Sequence, residues 1–330
     1  MAAYVVRRVA SALVLLFALS LVTYAVYFKI PSDPGLYIVG NPHPTPAEIQ
    51  AANHKLGVDR PVIVQYLDFV DRLVHGNLGR SYATGEPVFS IIRSDAPVTA
   101  SVVFGGAVLL IVAAIALGII SAQRGHTRLD WVVSSLPLLG IALHPLAVGL
   151  ILRSAFSKHL HLAPGGGYCS LMGGGGCSGP EHWASHLILP WVTFTLFLLP
   201  LYVRMVRTRV LETLDEPHVM VARGKGAAER RVIGLHVMPL VLPSLAAMLA
   251  MDAGAALTAA IYIEVAFGLP GLGSDALFAQ QGFVGFDLPV ITGIVMAIAV
   301  MVITLNAIAD IIAVRLDPRL EIGRGVTGLR

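Results

Sequence analysis

The chain has 330 residues, of which 56% are hydrophobic and only 13% charged, whereas a typical soluble domain carries about 25% charged residues. So few charged side chains cannot cover a globular core of this size with a polar surface, and much of the surface must therefore face lipid. The composition excludes a soluble globular enzyme and indicates a polytopic membrane protein. The formal net charge is +3, and its distribution along the chain is more informative than its size.

Six apolar stretches are long enough to cross a hydrocarbon layer of about 30 Å, which takes about 20 helical residues. They run approximately from Val9 to Phe28, Val98 to Ala122, Trp131 to Leu152, His186 to Val203, Val237 to Val265 and Leu288 to Val314. The first stretch is longer than the apolar core of a signal peptide, and no cleavage site of small residues follows it. We therefore predict an uncleaved first membrane helix.

The basic residues indicate which side of the membrane each segment occupies, because Lys and Arg are retained in cytoplasmic segments. Placing the N-terminus inside puts most of the 23 Lys and Arg residues on the cytoplasmic side, and the largest group lies between the fourth and fifth stretches. Both termini are therefore expected to be cytoplasmic. This sidedness explains the excess of basic residues, which gives no support for nucleic-acid binding.

Two large segments are expected on the outer side. The first, residues 31–97, contains Asp59-Arg60-Pro61 followed by an apolar pattern that extends to Val74 and ends before Gly76, which predicts a capped amphipathic helix. Its apolar stripe could lie against the membrane surface or the transmembrane bundle. The second, at about residues 154–185, is rich in glycine and is expected to form an irregular loop.

Cys169 and Cys177, the two cysteines of the sequence, both fall in this outer loop. A cysteine pair separated by a glycine-rich stretch in an oxidising compartment favours a disulfide. Free thiols are one alternative, and the other is a metal site that includes a nearby histidine: His159, His161, His182 or His186. The spacing matches no standard metal site, so we predict a disulfide and no metal.

The inward segment at about residues 204–236 is polar and basic, and its centre predicts a short helix. Pro217 suits the first turn and Gly226 suits a left-handed stop, with Val219, Ala222 and Arg223 on one face. A helix with these bounds would protrude from the membrane as a compact knob. On physical grounds alone, an ordinary basic loop that follows the positive-inside rule is the alternative.

Two polar residues within the apolar stretches need an explanation. Asp252 lies in the middle of the fifth stretch, where inserting a lone carboxylate costs about 2.5–3.5 kcal/mol. It therefore either accepts a hydrogen bond from another helix or faces a translocation pathway, which we expect the third, fourth and fifth stretches to line. His144, directly before Pro145, is either a hydrogen-bonded residue at a kink or a second pathway residue.

The residues of the inward segment resemble a known family. The set Glu216, Val219, Ala222, Arg223, Lys225 and Gly226 is similar to the cytoplasmic EAA loop of ABC importer permeases, in particular the dipeptide, oligopeptide and nickel permeases. Other segments resemble further motifs of that family in the same order: Leu56–Pro61, Gly76–Ser81, Glu264–Gly273 and Leu316–Arg319. The chain departs from the family pattern at Asn77, His218 and Gly224, where the family usually has an acid, an aromatic residue and alanine.

The resemblance implies an all-α type I ABC importer permease fold with six transmembrane helices and a large extracytoplasmic insertion after the first. The chain then divides into residues 1–30, the outer region 31–97, the permease core 98–319 and a cytoplasmic tail 320–330. It also implies a non-catalytic inner-membrane subunit that forms half of a translocation pathway and binds no cofactor. A second homologous permease would form the other half, two cytoplasmic ATPases would bind ATP and Mg²⁺, and an extracytoplasmic binding protein would deliver peptides.

On this interpretation the segment from Glu216 to Gly226 is a coupling helix that docks into a groove on an ATPase, and Arg223 pairs with an acidic rim of that partner. The chain contains no G-x-x-x-x-G-K-[ST] loop, so it lacks the usual means of binding and hydrolysing ATP itself. Nickel or another small solute is the alternative substrate. A secondary transporter is the alternative of a different class, but the two halves of the sequence show no convincing inverted repeat.

Overall fold

The computed structural model of the chain describes residues 2–28, 39, 44–57, 59–124, 144–171, 177, 179–281 and 287–316. Within these residues the regular structure is helical, and an isolated bridge pairs Arg80 with Pro87. The helices are α1 (Ala2–Phe28), α2 (Pro46–Leu56), α3 (Val62–Val74), α4 (Val88–Gln123), α5 (Pro145–Leu152), α6 (Pro180–Leu214), α7 (Pro217–Gly224), α8 (Glu229–Val232), α9 (Met238–Met251), α10 (Ala253–Phe267), α11 (Leu272–Gln281) and α12 (Leu288–Leu316). One π-helical segment, Arg153–His159, extends α5, and a second, Ile233–Val237, joins α8 to α9. The predicted all-α class is confirmed.

Several of the described helices can cross a membrane by length and composition. Four are long and apolar enough: Val88–Gln123, Pro180–Leu214, Glu229–Met251 and Leu288–Ile312. The pair Ala253–Phe267 and Leu272–Gln280 makes a fifth if it is one bent span, and the apolar part of α1, Ala10–Ala25, is shorter. Most of the predicted third span lies outside the described residues, since 131–143 are not among them.

The predicted fifth span differs most from the structure. The sequence suggests a single apolar helix from Val237 to Val265, but α9 ends at Met251 and α10 begins at Ala253, with Asp252 in a turn between them. Hydropathy does not reveal this interruption, because the residues on both sides of the turn are uniformly apolar.

Helix boundaries in the outer segments also differ from the predicted ones. α4 begins at Val88 rather than near residue 98, because Pro97 is accommodated inside the helix. The glycine-rich loop predicted for residues 154–185 is shorter, since helical structure extends to His159 and begins again at Pro180. The predicted amphipathic helix is confirmed as α3, which begins directly after Pro61.

The chain forms two compact units, and the first contains residues 1–99 and 270–301. Within it, Val88, Leu272, Val290 and Ile294 form a buried apolar cluster. Asp287 is buried just before α12, where its Oδ2 accepts hydrogen bonds from Ser81 Oγ at 2.5 Å and from the Ala83 amide at 3.2 Å. These bonds connect the segment after the amphipathic helix to the start of α12.

The second unit contains residues 100–269 and 302–330, and in it α4 and α6 approach closely. A Cβ atom added to Gly105 would lie 2.2 Å from the Trp191 ring, and one added to Gly118 would lie 2.6 Å from Val206. Small residues permit this approach, as they do in membrane helix pairs in general. The packed pair positions the end of α6, which the candidate coupling segment follows directly.

Candidate coupling site and membrane pathway

In the basic segment 204–236, α6 continues to Leu214, and a short helix, α7, follows before α8. Pro217 occupies the first turn. Backbone N–H groups have no helical acceptor in this turn, so proline, which lacks an N–H, fits there without the loss of a hydrogen bond. Glu216 precedes the helix in an extended conformation with φ −73° and ψ 143°, and Lys225 follows it. Both of these charged residues are exposed, so they flank the helix on its solvent side.

The end of α7 has the left-handed glycine that the sequence predicts. Gly226 has φ +80°, and its amide donates to the Arg223 carbonyl at 2.9 Å. The Ala227 amide donates to the Ala222 carbonyl at 3.2 Å. These two bonds form a Schellman motif, which ends a helix at a residue in the left-handed conformation.

The three residues predicted to share one face of α7 differ in how deeply they are buried in the protein. Val219 is fully buried, Ala222 is half-buried and Arg223 is exposed. Met220 and Val221 are 57% and 55% exposed. Val219 therefore anchors α7 to the rest of the chain, whereas Met220 and Val221 form the apolar surface that the helix presents. Met220 and Val221 are not among the residues predicted from the sequence, although large apolar side chains within a basic segment are a recognisable signal.

Arg223 forms an ion pair within the chain. Its Nη2 lies 2.6 Å from Oε1 of Glu229 and its Nε lies 3.2 Å from Oε2, which is the two-point geometry that a guanidinium and a carboxylate prefer. The hydrogen bond with Glu229 raises the pKa of Arg223 above its ordinary value. The pairing joins α7 to the start of α8, so a partner's acidic group would have to compete with Glu229. Sequence reasoning missed Glu229, because the turn that brings it back to Arg223 leaves no periodic pattern.

Asp252 has a hydrogen-bond partner on another helix. The Tyr202 hydroxyl of α6 donates to Asp252 Oδ2 at 2.9 Å, and Tyr202 is fully buried while Asp252 is partly exposed. Tyr202 is thus the donor required by the interpretation that Asp252 accepts a hydrogen bond from another helix. A partly exposed carboxylate is also compatible with a pathway position, and that second interpretation stays a prediction.

His144 caps a helix and contacts an aromatic ring. Its Nδ1 accepts from the Leu146 amide at 3.3 Å at the start of α5, and this arrangement places the proton of a neutral imidazole on Nε2. The His144 ring lies 4.4 Å from the Tyr262 ring in an edge-to-face arrangement. The cap explains why His144 precedes Pro145, and a role in the pathway remains a prediction.

The two cysteines of the outer loop lie together. Their Sγ atoms are bonded, and the Cα atoms of Cys169 and Cys177 are 5.2 Å apart, within the usual range for disulfides. His186 is nearby, since its ring and the two sulfur atoms provide potential metal-ligand atoms within 4.8 Å of one another. A thiolate is the metal-binding form of cysteine, so this group can hold a metal only when the thiols are reduced. His186 Nδ1 instead lies 3.1 Å from the Gly167 carbonyl oxygen.

The outer loop is fastened to the C-terminal end of α10. The Gly167 amide donates to the Phe267 carbonyl at 3.2 Å, and Arg153 Nη1 donates to the Ala266 carbonyl at 2.7 Å. Carbonyls at the end of a helix lack helical partners and carry partial negative charge, so a backbone amide and a guanidinium both stabilise this end. A Cβ at Gly166 would lie 2.2 Å from the Phe267 oxygen, and the close approach therefore requires glycine.

Comparison with known proteins identifies the family. Residues 114–322 match the binding-protein-dependent transport system inner membrane component, and residues 1–103 match the N-terminal region of such membrane components. The chain is a member of this permease family. The permease is 33% identical over 321 residues to a Brucella suis protein named "Putative peptide permease protein", an alignment that covers 97% of this chain and 99% of the relative.

Two further relatives come from other bacteria. The oligopeptide transport system permease protein of Bacillus subtilis is 29% identical over 322 residues, with 97% of this chain and 100% of the relative covered. The probable D,D-dipeptide transport system permease protein of Escherichia coli is 29% identical, with 92% of each chain covered. The predicted resemblance is confirmed over nearly the whole length, and the permease is a multi-pass membrane component of an ABC import system.

Proposed function

We propose that this permease forms half of the translocation pathway of an ATP-driven peptide importer. The observation that carries the proposal is the near full-length similarity to permeases named for peptide, oligopeptide and D,D-dipeptide transport. Nickel import remains the alternative within the same family of transporters.

The proposed assembly follows from the family and the charge distribution. A second homologous permease completes the pathway, two cytoplasmic ATPases bind ATP and Mg²⁺, and an extracytoplasmic binding protein delivers the substrate. The permease itself is non-catalytic and binds no cofactor. It crosses the inner membrane six times with both termini in the cytoplasm, because that orientation places the basic segment around α7 inside.

In this assembly α7 is the element that docks on an ATPase. Its bounds are fixed by Pro217 and the Gly226 motif, and Val219 anchors it. Met220 and Val221 provide exposed apolar side chains for a groove, and Glu216 and Lys225 provide charges at its rim. A short helix with an exposed apolar edge suits helix-in-groove recognition.

Substrate uptake tests the transport proposal. A strain that lacks the permease gene is complemented with the intact gene, and uptake of a labelled tripeptide and of labelled nickel is measured. We expect peptide uptake that depends on the permease, that stops when ATP is depleted and that survives dissipation of the proton gradient. Uptake of nickel alone would favour the alternative substrate, and uptake that follows the proton gradient would contradict an ABC importer.

Association with the ATPase tests the docking proposal separately. In Met220→Ser and Val221→Ser we expect loss of ATPase pull-down and of uptake, with normal amounts of permease in the membrane. Leu235→Ser is the matched control, because Leu235 is also exposed but lies in the π-helical segment after α8. Equal loss in all three variants would contradict a specific contact at α7.

A further inference from the structure

The amphipathic helix α3 is attached to α1 by one of its faces. The Tyr66 ring lies 5.4 Å from the ring of Tyr24 and 6.3 Å from that of Phe17, and the Tyr66 hydroxyl lies 3.0 Å from Ser20 Oγ. Phe69 stacks on Tyr24 at 6.0 Å. These contacts fix α3 beside residues 17–24 of α1.

A second apolar stripe of α3 is left uncovered. Ile63 and Leu67 lie one helical turn apart and are 73% and 59% exposed, and Val70 continues the stripe at helical spacing. Asp68 lies on another side of the helix, where it pairs with Arg60 at 3.2 Å. Ile63, Leu67 and Val70 are all apolar, and Ile63 and Leu67 point away from the chain. The exposed Asp71 lies one turn after Leu67, at the edge of the stripe, where it pairs with His75.

The contacts with α1 place this stripe at the depth of the hydrocarbon layer. Phe17 precedes Phe28, the end of the predicted first span, by 11 residues, which is about 16 Å along a helix that rises about 1.5 Å per residue. That distance is roughly half of a hydrocarbon layer of about 30 Å. The Tyr66 ring lies between Phe17 and Tyr24, with its hydroxyl at Ser20, 8 residues and about 12 Å before Phe28. It therefore lies within the outer leaflet if α1 crosses the bilayer, and this step rests on the proposed topology.

The exposed side chains of α1 also indicate an apolar environment for this part of the chain. Val14 is 68% exposed, and Phe17 and Leu21 are exposed as well. Exposed apolar patches of this kind mark membrane or protein contacts rather than surfaces in water. The stripe on α3 thus lies next to a helix whose own exposed apolar side chains need a lipid or protein contact.

We propose that α3 is embedded in the outer leaflet and that Ile63, Leu67 and Val70 contact lipid acyl chains. Asp68 and Arg60 then lie on the side of α3 that faces the headgroups or water, which is the division expected of an interfacial amphipathic helix. This contact would hold the segment that follows α3 at the level of the membrane surface. A protein partner that covers the stripe is the competing occupant, and the following test separates the two.

Spin-label accessibility tests the proposal in the assembled transporter, reconstituted in phosphatidylcholine–phosphatidylglycerol vesicles. Single cysteines replace Ile63, Leu67, Val14 and, as a charged control on the same helix, Asp68. The background carries Cys169→Ser and Cys177→Ser, and each variant is first checked for uptake. Collision rates are measured with oxygen, which concentrates in lipid, and with a water-soluble nickel chelate.

We expect an oxygen-to-nickel ratio at positions 63 and 67 that is several-fold higher than at position 68. A nickel-accessible stripe would overturn the proposal in favour of water, and exclusion of both reagents would overturn it in favour of a protein partner. The label at position 14 reports on the topology separately. If that label is in lipid while positions 63 and 67 are not, the proposal for α3 alone fails. If it is accessible to nickel, the span assigned to α1 fails together with the proposal.

Discussion

Arg223 shows how an intramolecular contact changes the interpretation of a motif residue. The family resemblance suggests an acidic rim on the ATPase as its partner, but Glu229 of the same chain already accepts from Nε and Nη2 of the guanidinium. Both side chains remain partly exposed, and exposed ion pairs typically contribute about 0.2–1 kcal/mol. The pair therefore orients α7 on α8 more than it stabilises the fold.

A charge exchange tests this orientation role. Arg223→Glu should reach the membrane at normal levels but reduce ATPase pull-down and uptake, because the two carboxylates repel and displace α7. The double variant Arg223→Glu/Glu229→Arg should recover most of both activities. Reversal of the exposed Arg209–Glu212 pair on α6, 3.2 Å apart, is the control and should change little. Failure of the double variant to recover pull-down would mean that Arg223 pairs with the ATPase instead.

Removing the Tyr202 hydroxyl distinguishes two roles of Asp252, that of a hydrogen-bond acceptor and that of a pathway residue. Tyr202→Phe removes the hydroxyl, and a hydrogen bond to a charged group contributes about 1.5–3 kcal/mol. We expect Asp252→Leu to reduce uptake more than Tyr202→Phe does, because a carboxylate that lines the pathway has a role besides accepting a hydrogen bond from Tyr202. Both variants should reach the membrane in normal amounts. Uptake and membrane content are measured together. If the two variants lose uptake equally, the hydrogen bond accounts for Asp252 and the pathway role is wrong.

At the scale of single elements, the stop of α7 depends on one backbone conformation. Gly226→Val places a β-branched residue in the left-handed region, which costs roughly 1–2 kcal/mol. We expect normal insertion but weaker ATPase pull-down and uptake, since only the local turn is disturbed. Gly224→Val is the matched control, because Gly224 has no positive φ and a Cβ there has open space. Full activity of Gly226→Val would mean that the segment is a loop that needs no fixed end.

The outer loop provides a second test at this scale. With Cys169 and Cys177 bonded, we expect neither to react with a membrane-permeant alkylating reagent in intact cells until a reductant is added. Mass spectrometry of the isolated permease counts the modified cysteines. Alkylation of both thiols without reduction would exclude the disulfide. Labelling that is blocked by added zinc after reduction would instead reveal the group with His186.

The elements predicted well from sequence are those whose signals are local. Pro217 and Gly226 define the ends of α7 by backbone chemistry alone, and Pro61 does the same for the start of α3. The contacts that matter for the candidate site are not local: Tyr202 and Asp252 lie 50 residues apart in sequence. A single sequence contains no signal that pairs such distant residues, so these partners become apparent only in the folded chain.

At the scale of the whole molecule, the topology makes one prediction about sidedness. Alkaline phosphatase inserted after Gly165 should be active, because the proposed topology places this loop outside, and phosphatase inserted after Lys225 or fused to Arg330 should be inactive. Green fluorescent protein at the same positions should give the opposite pattern. Active phosphatase at Lys225 would place α7 outside and remove it from any cytoplasmic ATPase.

The close packing of α4 against α6 has a mechanical consequence. Gly105 and Gly118, 13 residues apart, each receive a side chain of α6, and Trp191 Nε1 also donates to the Ser101 carbonyl at 2.9 Å. At about 1.5 Å per residue the two contacts are about 20 Å apart, so sliding one helix along the other would break both. α7 begins only three residues after the end of the 35-residue α6. If α7 docks on an ATPase, we therefore expect a displacement of α7 to carry the end of α6 and the part of α4 that packs on it, because Val206 near that end is seated on Gly118. The Asp252 turn and the interior prolines of α6, Pro190 and Pro200, are the interruptions at which the helices can bend.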